Sequence, residues 1–179
     1  VGSEMCIRDS IDRLQRMVRA VDSMMERTVM GEKLTPEARA EILGTDWNPD
    51  WDREAEEKYG DTDDWKTSVH RQANMSARDF EAATARMKTV EKRLAEAMKS
   101  GVQPGSGEAN ALAEEHRASL VWFDVTHAKH VLIARGYVAD PRFAKHYESI
   151  APGLGAWLKT VIDENARAHG VDPDTAEWE

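Results

Sequence analysis

The sequence predicts an all-α protein, and three observations carry that prediction. Apolar residues recur at spacings of three and four along most of the chain, and no stretch alternates with period two for long enough to make a strand. Residues that start helices (Ser, Thr, Asp, Pro) and glycines that stop them divide the chain at helical lengths. The 179 residues are 41% apolar and 32% charged, which suits helices with one buried and one solvated face. That length serves one domain with a sizeable core and an appended helix.

Taken in order, residues 1–10 (VGSEMCIRDS) show no period and resemble translated adapter sequence. They are expected to be non-native or disordered, and Cys6 is given no role. From Ser10 onward, Ile11, Leu14, Val18, Val21 and Met25 form a heptad-like seam, widened by Met17 and Met24 and stopped by Gly31. The seam is too short for a self-sufficient coiled coil, so it reads either as the end of a longer dimerising helix or as one bundle helix. Thr35-Pro36-Glu37 opens a short helix that closes at Gly44. A helix from Glu54 to Tyr59 ends at Gly60, and Thr62 caps the next, which carries Trp65, Val69 and Gln72. Ser76 begins the longest helix, with Phe80, Ala83, Met87, Val90, Leu94 and Met98 on one face and Gly101 beyond its end.

After a short linker-like stretch at 103–107, a helix is expected from Ala109 to Phe123, with Leu112, His116, Leu120 and Phe123 on one side. Another follows from Thr126 to Val138. Asp140-Pro141 starts a third, with Phe143 and Tyr147 facing inward. Pro152 is expected to open the last helix, through Leu154, Trp157, Leu158, Val161 and Ile162, ending near Gly170 ahead of a polar tail at 171–179.

Charge and motif content exclude several functions. Twenty-four Lys+Arg against 33 Asp+Glu leave a net charge of −9, which argues against a broad basic face for nucleic acid. The one cysteine rules out an internal disulfide and suits the cytoplasm. No apolar run approaches membrane-spanning length, so no membrane partner is expected. There is no phosphate loop, no G-x-S-x-G elbow and no CxxC, and the prediction is of a non-enzyme. His127-x-x-His130 with His116 and Glu115 could in principle make a metal site between two helices but lacks HExxH spacing, so neither a metal nor any other cofactor is expected. His116, on the inward face of its helix, reads on spacing alone as a satisfied core residue.

Between Thr45 and Trp65 nine acidic residues face only Arg53 and Lys58, and three of the six tryptophans (Trp47, Trp51, Trp65) lie there. With almost no aliphatic residues, this segment cannot offset its own ordering entropy by making a core. Its rings either dock on the rest of the protein or close over a ligand.

Several motifs, in order, resemble one family. They are Glu54 through Ser68 (EAEEKYGDTDDWKTS), Ser76-Ala77-Arg78-Asp79-Phe80, Ala113-Glu114-Glu115-His116-Arg117 and Trp122-Phe123. The strongest are Tyr137 through Phe143 (YVADPRF) and Tyr147 through Leu154 (YESIAPGL). Together they are similar to the TipAS antibiotic-recognition domain of TipA-type regulators of the MerR family. Upstream, Arg16 through Asp22 and Gly31 through Glu37 resemble the end of the MerR-type dimerisation helix and its link to that domain. The likeness runs from Ile11 to about Ala168.

It implies a globin-like helical ligand-binding domain at 32–170, preceded at 11–31 by the end of a dimerisation (coiled-coil) helix. The implied ligand is a bulky, ring-rich antibiotic, thiopeptide-like or albicidin-like, and the acidic Trp segment becomes a lid that ligand folds. The implied partners are a second copy, through residues 11–30 and a missing upstream helix, and promoter DNA, through an N-terminal helix-turn-helix absent from this chain. The implied function is ligand-dependent activation of transcription; the alternative is a stand-alone protein that sequesters the drug. Truncation is the expected reason for the missing helix-turn-helix. Some members of the family capture dehydroalanine groups with a cysteine after the Trp-Phe pair. Val125 falls at that place here, so binding is expected to be reversible. Flat rings suit such ligands, so Trp65, Trp122, Phe123, Tyr137, Phe143 and Tyr147 are candidate walls, and Ser68, His116 and His130 candidate polar contacts.

Overall fold

The computed structural model describes residues 17–19, 21, 36–43 and 48–178, and among them every regular element is a helix. The all-α expectation holds. The helices are α1 (Pro36–Leu43), α2 (Pro49–Tyr59), α3 (Asp63–Asn74), α4 (Ala77–Lys99), α5 (Gly107–Ser119), α6 (His127–Ala139), α7 (Pro141–Ile150) and α8 (Leu154–Ala168). Residues 17–19 and 21 are also helical, with Met17, Val18 and Val21 exposed. The rest of the proposed heptad seam, Gly31, Gly44 and Trp47 lie outside the described residues. The chain divides into two compact units, 1–82 and 83–179, with the boundary inside α4.

Side-chain caps account for most of the helix starts. Thr62 Oγ1 accepts the Trp65 N–H at 3.2 Å and donates to the Tyr59 carbonyl at 2.7 Å, so one hydroxyl ends α2 and begins α3. Ser76 and Asp79 form a reciprocal box at the start of α4: the Asp79 N–H meets Ser76 Oγ at 3.1 Å, and Ser76 Oγ donates to Asp79 Oδ2 at 2.7 Å. At the starts of α5, α6 and α7 the Ser106, Thr126 and Asp140 side chains accept the N–H groups of Ala109, Lys129 and Arg142.

Three boundaries differ from the sequence reading. First, α2 begins at Pro49 rather than near Glu54, because Asn48 accepts the Asp50 N–H at 3.0 Å and Pro49 needs no N–H partner at that position. Second, α5 ends at Ser119, four residues short of Phe123. Ser119 Oγ donates to the His116 carbonyl at 2.7 Å, Leu120 leaves helical dihedrals (φ −82°, ψ 77°), and a bulky run follows. Trp122 and Phe123 therefore sit on a loop. Third, α8 starts at Leu154, since Gly153 takes φ 80°, a left-handed conformation that a side chain would strain. The Glu148 carboxylate accepts the Gly153 N–H at 2.8 Å and holds that turn.

In the N-terminal unit, Arg39 is the joint. Its guanidinium pairs with Asp52 at 3.1 Å, tying α1 to α2, and lies 5.9 Å from the Phe80 ring centre. None of the α2 side chains described is buried. In the C-terminal unit the core is continuous and apolar. Val90, Leu94, Leu112, Val131, Ala134, Leu154, Leu158 and Ile162 form it, with Trp157 partly buried against them. Helix α8 contacts α5, α6 and α7. Residues 171–178 follow its end, where Pro173 is buried and accepts from Arg135 Nη2 at 2.6 Å. Val171 and Ala176 also pack against the core.

Leu158 is fully buried, so Leu158→Ala is expected to lower the unfolding free energy by about 3 kcal/mol through lost burial and a residual cavity. Urea denaturation of the two proteins measures this, and a loss under about 1 kcal/mol would show that Leu158 is not a core contact.

Candidate functional site

Five of the nine sequence-predicted site residues come together in the C-terminal unit. His116 on α5 faces His130 on α6, with Nδ1 and Nε2 2.9 Å apart and the rings stacked at 5.2 Å. The Tyr147 hydroxyl, from α7, lies 3.4 Å from His116 Nε2, a long contact. Tyr137 meets His116 edge-on at 5.8 Å and Tyr147 at 4.7 Å. Phe143 stands 6.2 Å from Tyr137, but its side chain is half exposed. The inward-facing expectation thus holds for Tyr147 and not for Phe143. The first turn of α7 lies outside the core, while Tyr147, one turn later, reaches it.

Burial sets the protonation of this cluster. His116 and His130 are both about 1% exposed. Desolvation pushes the His116 pKa down to about 4. Desolvation, then the positive charge that His116 or Arg117 would bring close, pushes His130 down to about 2. Both rings are therefore neutral at neutral pH, and one ring N–H donates to the other ring's lone pair. Burial also raises the Tyr137 and Tyr147 phenols above their ordinary range. The cluster is a set of neutral donors and acceptors with flat faces, suited to hydrogen bonding and stacking and not to charge recognition.

The other four predicted residues stand elsewhere. Trp122 and Phe123 lie partly buried on the loop after α5, where Phe123 is 5.8 Å from Trp178. Trp65 and Ser68 belong to the N-terminal unit. Trp65 lines a cleft of about 300 Å³ with Arg39, Asp52, Glu56 and Gln72, while Ser68 is buried and accepts from Gln72 Nε2 at 2.9 Å. Val125 is buried, and its carbonyl accepts from Arg117 Nη1 at 2.7 Å.

The grouping of His127, His130, His116 and Glu115, from which no metal site was expected, does not assemble. His130 turns inward to His116, and Glu115 pairs with Arg93. His127 instead meets Glu114 and His169, whose possible ligand atoms all lie within 4.8 Å of one another. Sequence reasoning missed this trio because His169 is some forty residues away in sequence, beyond any local spacing rule. It also missed Glu91, which is nearly buried and pairs with His146 Nε2 at 2.8 Å. No charge pattern marked Glu91 out from the other acids of α4.

Helices enclosing neutral imidazoles and phenols, with aromatic rings at the margin, define an all-α domain with a polar interior cluster. The chain belongs to the TipAS antibiotic-recognition domain family, which it matches over residues 51–165. It is similar to two HTH-type transcriptional activators TipA, from Streptomyces coelicolor and Streptomyces lividans. Each is 32% identical over 162 residues, which cover 89% of this chain and 64% of the relative. The chain thus spans less than two-thirds of those activators. Among solved structures it resembles TipAS in complex with nosiheptide, from a thiopeptide antibiotic multidrug resistance system of S. lividans. The TM-score is 0.67 at 28% identity, over 76% of this chain and 97% of that one.

The neutral histidine pair has a pH signature. Each folded-state pKa lies below the unfolded value near 6.5, so the unfolded chain binds more protons as the solution acidifies. The contribution to stability is complete above about pH 6.5 and is lost downward, for His116 by about pH 4 and for His130 by about pH 2. Between pH 7 and pH 5 the loss is about 2 kcal/mol for each ring kept neutral. Denaturant unfolding at the two pH values measures it. Ring titrations near pH 6.5 in the folded protein, followed by NMR, would overturn the assignment.

Proposed function

We propose that this protein is the effector-binding part of a transcriptional regulator, taking up a bulky, ring-rich peptide antibiotic of the thiopeptide class without covalent capture. The observation that carries the proposal is the His116–His130–Tyr147–Tyr137 cluster in a chain whose fold follows that of a nosiheptide-bound relative. Phe143, half exposed beside Tyr137, is the wall such a ligand would meet first, with Trp122 and Phe123 as further walls and His116 and His130 as partners for amide and azole nitrogens. The family resemblance also counts Trp65 and Ser68 among the residues that contact ligand. The helices of the N-terminal unit bury few side chains and carry exposed rings such as Trp51 and Tyr59, the composition of a lid that ligand burial would order.

The protein acts by binding, with no catalytic residue, in the cytoplasm. Among the described residues no helix is long and apolar enough to cross a membrane. In a longer chain the MerR-type arrangement supplies a promoter-binding head and a dimerising helix, and lid ordering shifts that dimer toward its activating state. The second reading is sequestration of the drug by the recognition domain itself, and it draws support from the resistance system to which the structural relative belongs.

Titration with nosiheptide, followed by tryptophan fluorescence and far-UV circular dichroism, tests the binding claim. Expected are a saturable fluorescence change, a gain in helix and at least tenfold weaker binding by Phe143→Ala, whose side chain is exposed enough to leave the fold intact. Intact-mass analysis of the complex should show no adduct. Silence from a panel of thiopeptides and albicidin would overturn the ligand class, and a covalent adduct outside Cys6 would overturn reversibility. For the dimer, Val18→Asp places a charge in the apolar seam and should shift sedimentation toward monomer; an unchanged profile would confine the seam to intrachain packing.

A further inference from the structure

We propose that Glu114, His127 and His169 form a binding site for a divalent transition-metal ion of the zinc type, apart from the ligand cluster. The three come from different parts of the C-terminal unit: the last turns of α5, the first residue of α6 and the cap that follows α8. His127 Nε2 already stands 2.8 Å from Glu114 Oε1, and the His127 and His169 rings stack at 4.1 Å. Two imidazoles and a carboxylate are the donor set of open zinc sites, in which water takes the fourth position.

What surrounds the trio is arranged as a ligand support. The Asn165 carbonyl accepts from His169 Nδ1 at 2.8 Å, so that nitrogen carries the proton and Nε2 of the neutral ring keeps its lone pair. A ligating histidine characteristically spends its other N–H in this way. Arg117 grips Glu114 Oε2 through Nη2 at 2.5 Å and Nε at 3.1 Å, turning Oε1 toward His127. Asn165 Nδ2 donates to that same Oε1 at 2.6 Å. Burial disfavours the Glu114 carboxylate, but hydrogen bonds from Arg117, Asn165 and His127 outweigh it and hold the pKa down at about 2, so the group is an anion at neutral pH.

One atom in this shell is unaccounted for. Asn165 is 1% exposed, and its Oδ1 is a buried acceptor with no hydrogen-bond partner. A buried acceptor left without a donor is costly and calls for a reason. A metal-bound water at the open fourth position is a donor of the right kind, delivered next to the amide that already touches Glu114.

The geometry requires a small closure, and the proton through which His127 Nε2 donates to Glu114 is released to solvent as the ion takes that lone pair. The ligand atoms lie within 4.8 Å of one another, against about 3.3 Å between neighbours around a tetrahedral zinc ion. His169 is the exposed member, so its ring can swing inward without disturbing the core, and the same exposure gives an ion its way in. The bound ion would join α5, α6 and the end of α8, raising the stability of the unit by mass action.

The test uses the full chain, stripped with a chelator and titrated with Zn²⁺ by calorimetry and with Co²⁺ by visible absorption. Expected are one-to-one binding with Kd of about 1 µM or tighter, a rise in Tm of a few degrees, and at least tenfold weaker binding by His169→Gln with unchanged circular dichroism. His127→Gln should weaken binding likewise, whereas His70→Gln and Cys6→Ser should leave it unaltered. The absence of saturable uptake of either metal would overturn the site and leave the trio as a hydrogen-bonded surface network. Uptake that His169→Gln does not weaken would overturn it equally.

Discussion

Eight of the fifteen residues of α8 are buried, and the C-terminal unit is organised around covering them. Leu154, Leu158, Val161 and Ile162 present apolar surface over more of the circumference than one partner helix can cover, so α5, α6 and α7 all pack on it. Gly155 faces the same neighbours: a Cβ there would stand 3.4 Å from the Tyr137 carbonyl and from Tyr147 Cβ, at the edge of ordinary van der Waals contact. The same helix carries Asn165 and Asp163 inward, and their amide and carboxylate find Glu114 and Lys159 as partners. The position of the polar cluster and of the Glu114 trio both follow from how this helix is covered.

The interior therefore contains two polar groupings of opposite character. One is neutral: His116, His130, Tyr137 and Tyr147 exchange hydrogen bonds without net charge, because desolvation disfavours every ionised form. The other is ionic and nearer to solvent: Glu114 is stabilised as a carboxylate by Arg117, Asn165 and His127. They are close enough that the charges of Arg117, Glu114 and His127 all act on His130, so substitution in one should not be read as independent of the other.

The two units use different sources of order. The C-terminal one rests on a continuous apolar core. The N-terminal one shows local devices: the Thr62 hydroxyl between α2 and α3, the Ser76–Asp79 box and the Arg39–Asp52 pair. Caps of this kind contribute about 1 kcal/mol each and exposed ion pairs less, so elements held mainly by them open readily.

Helix identity and most helix starts were legible in the sequence by itself, because capping and apolar periodicity are local: Thr62, Ser76, Thr126 and Asp140 each meet a backbone N–H within three residues. The family was legible for a related reason, since its motifs are contiguous. Inward and outward faces were less so. Tyr147 and Phe143 lie four apart on one short helix, yet only Tyr147 is buried, which depends on where α7 crosses α6 and α8. Tertiary structure alone decided that His116 and His130 pair as neutral rings and that His127 turns toward His169. Each depends on atoms brought together across many residues and on how much water the packing excludes, and neither quantity is a function of spacing along the chain.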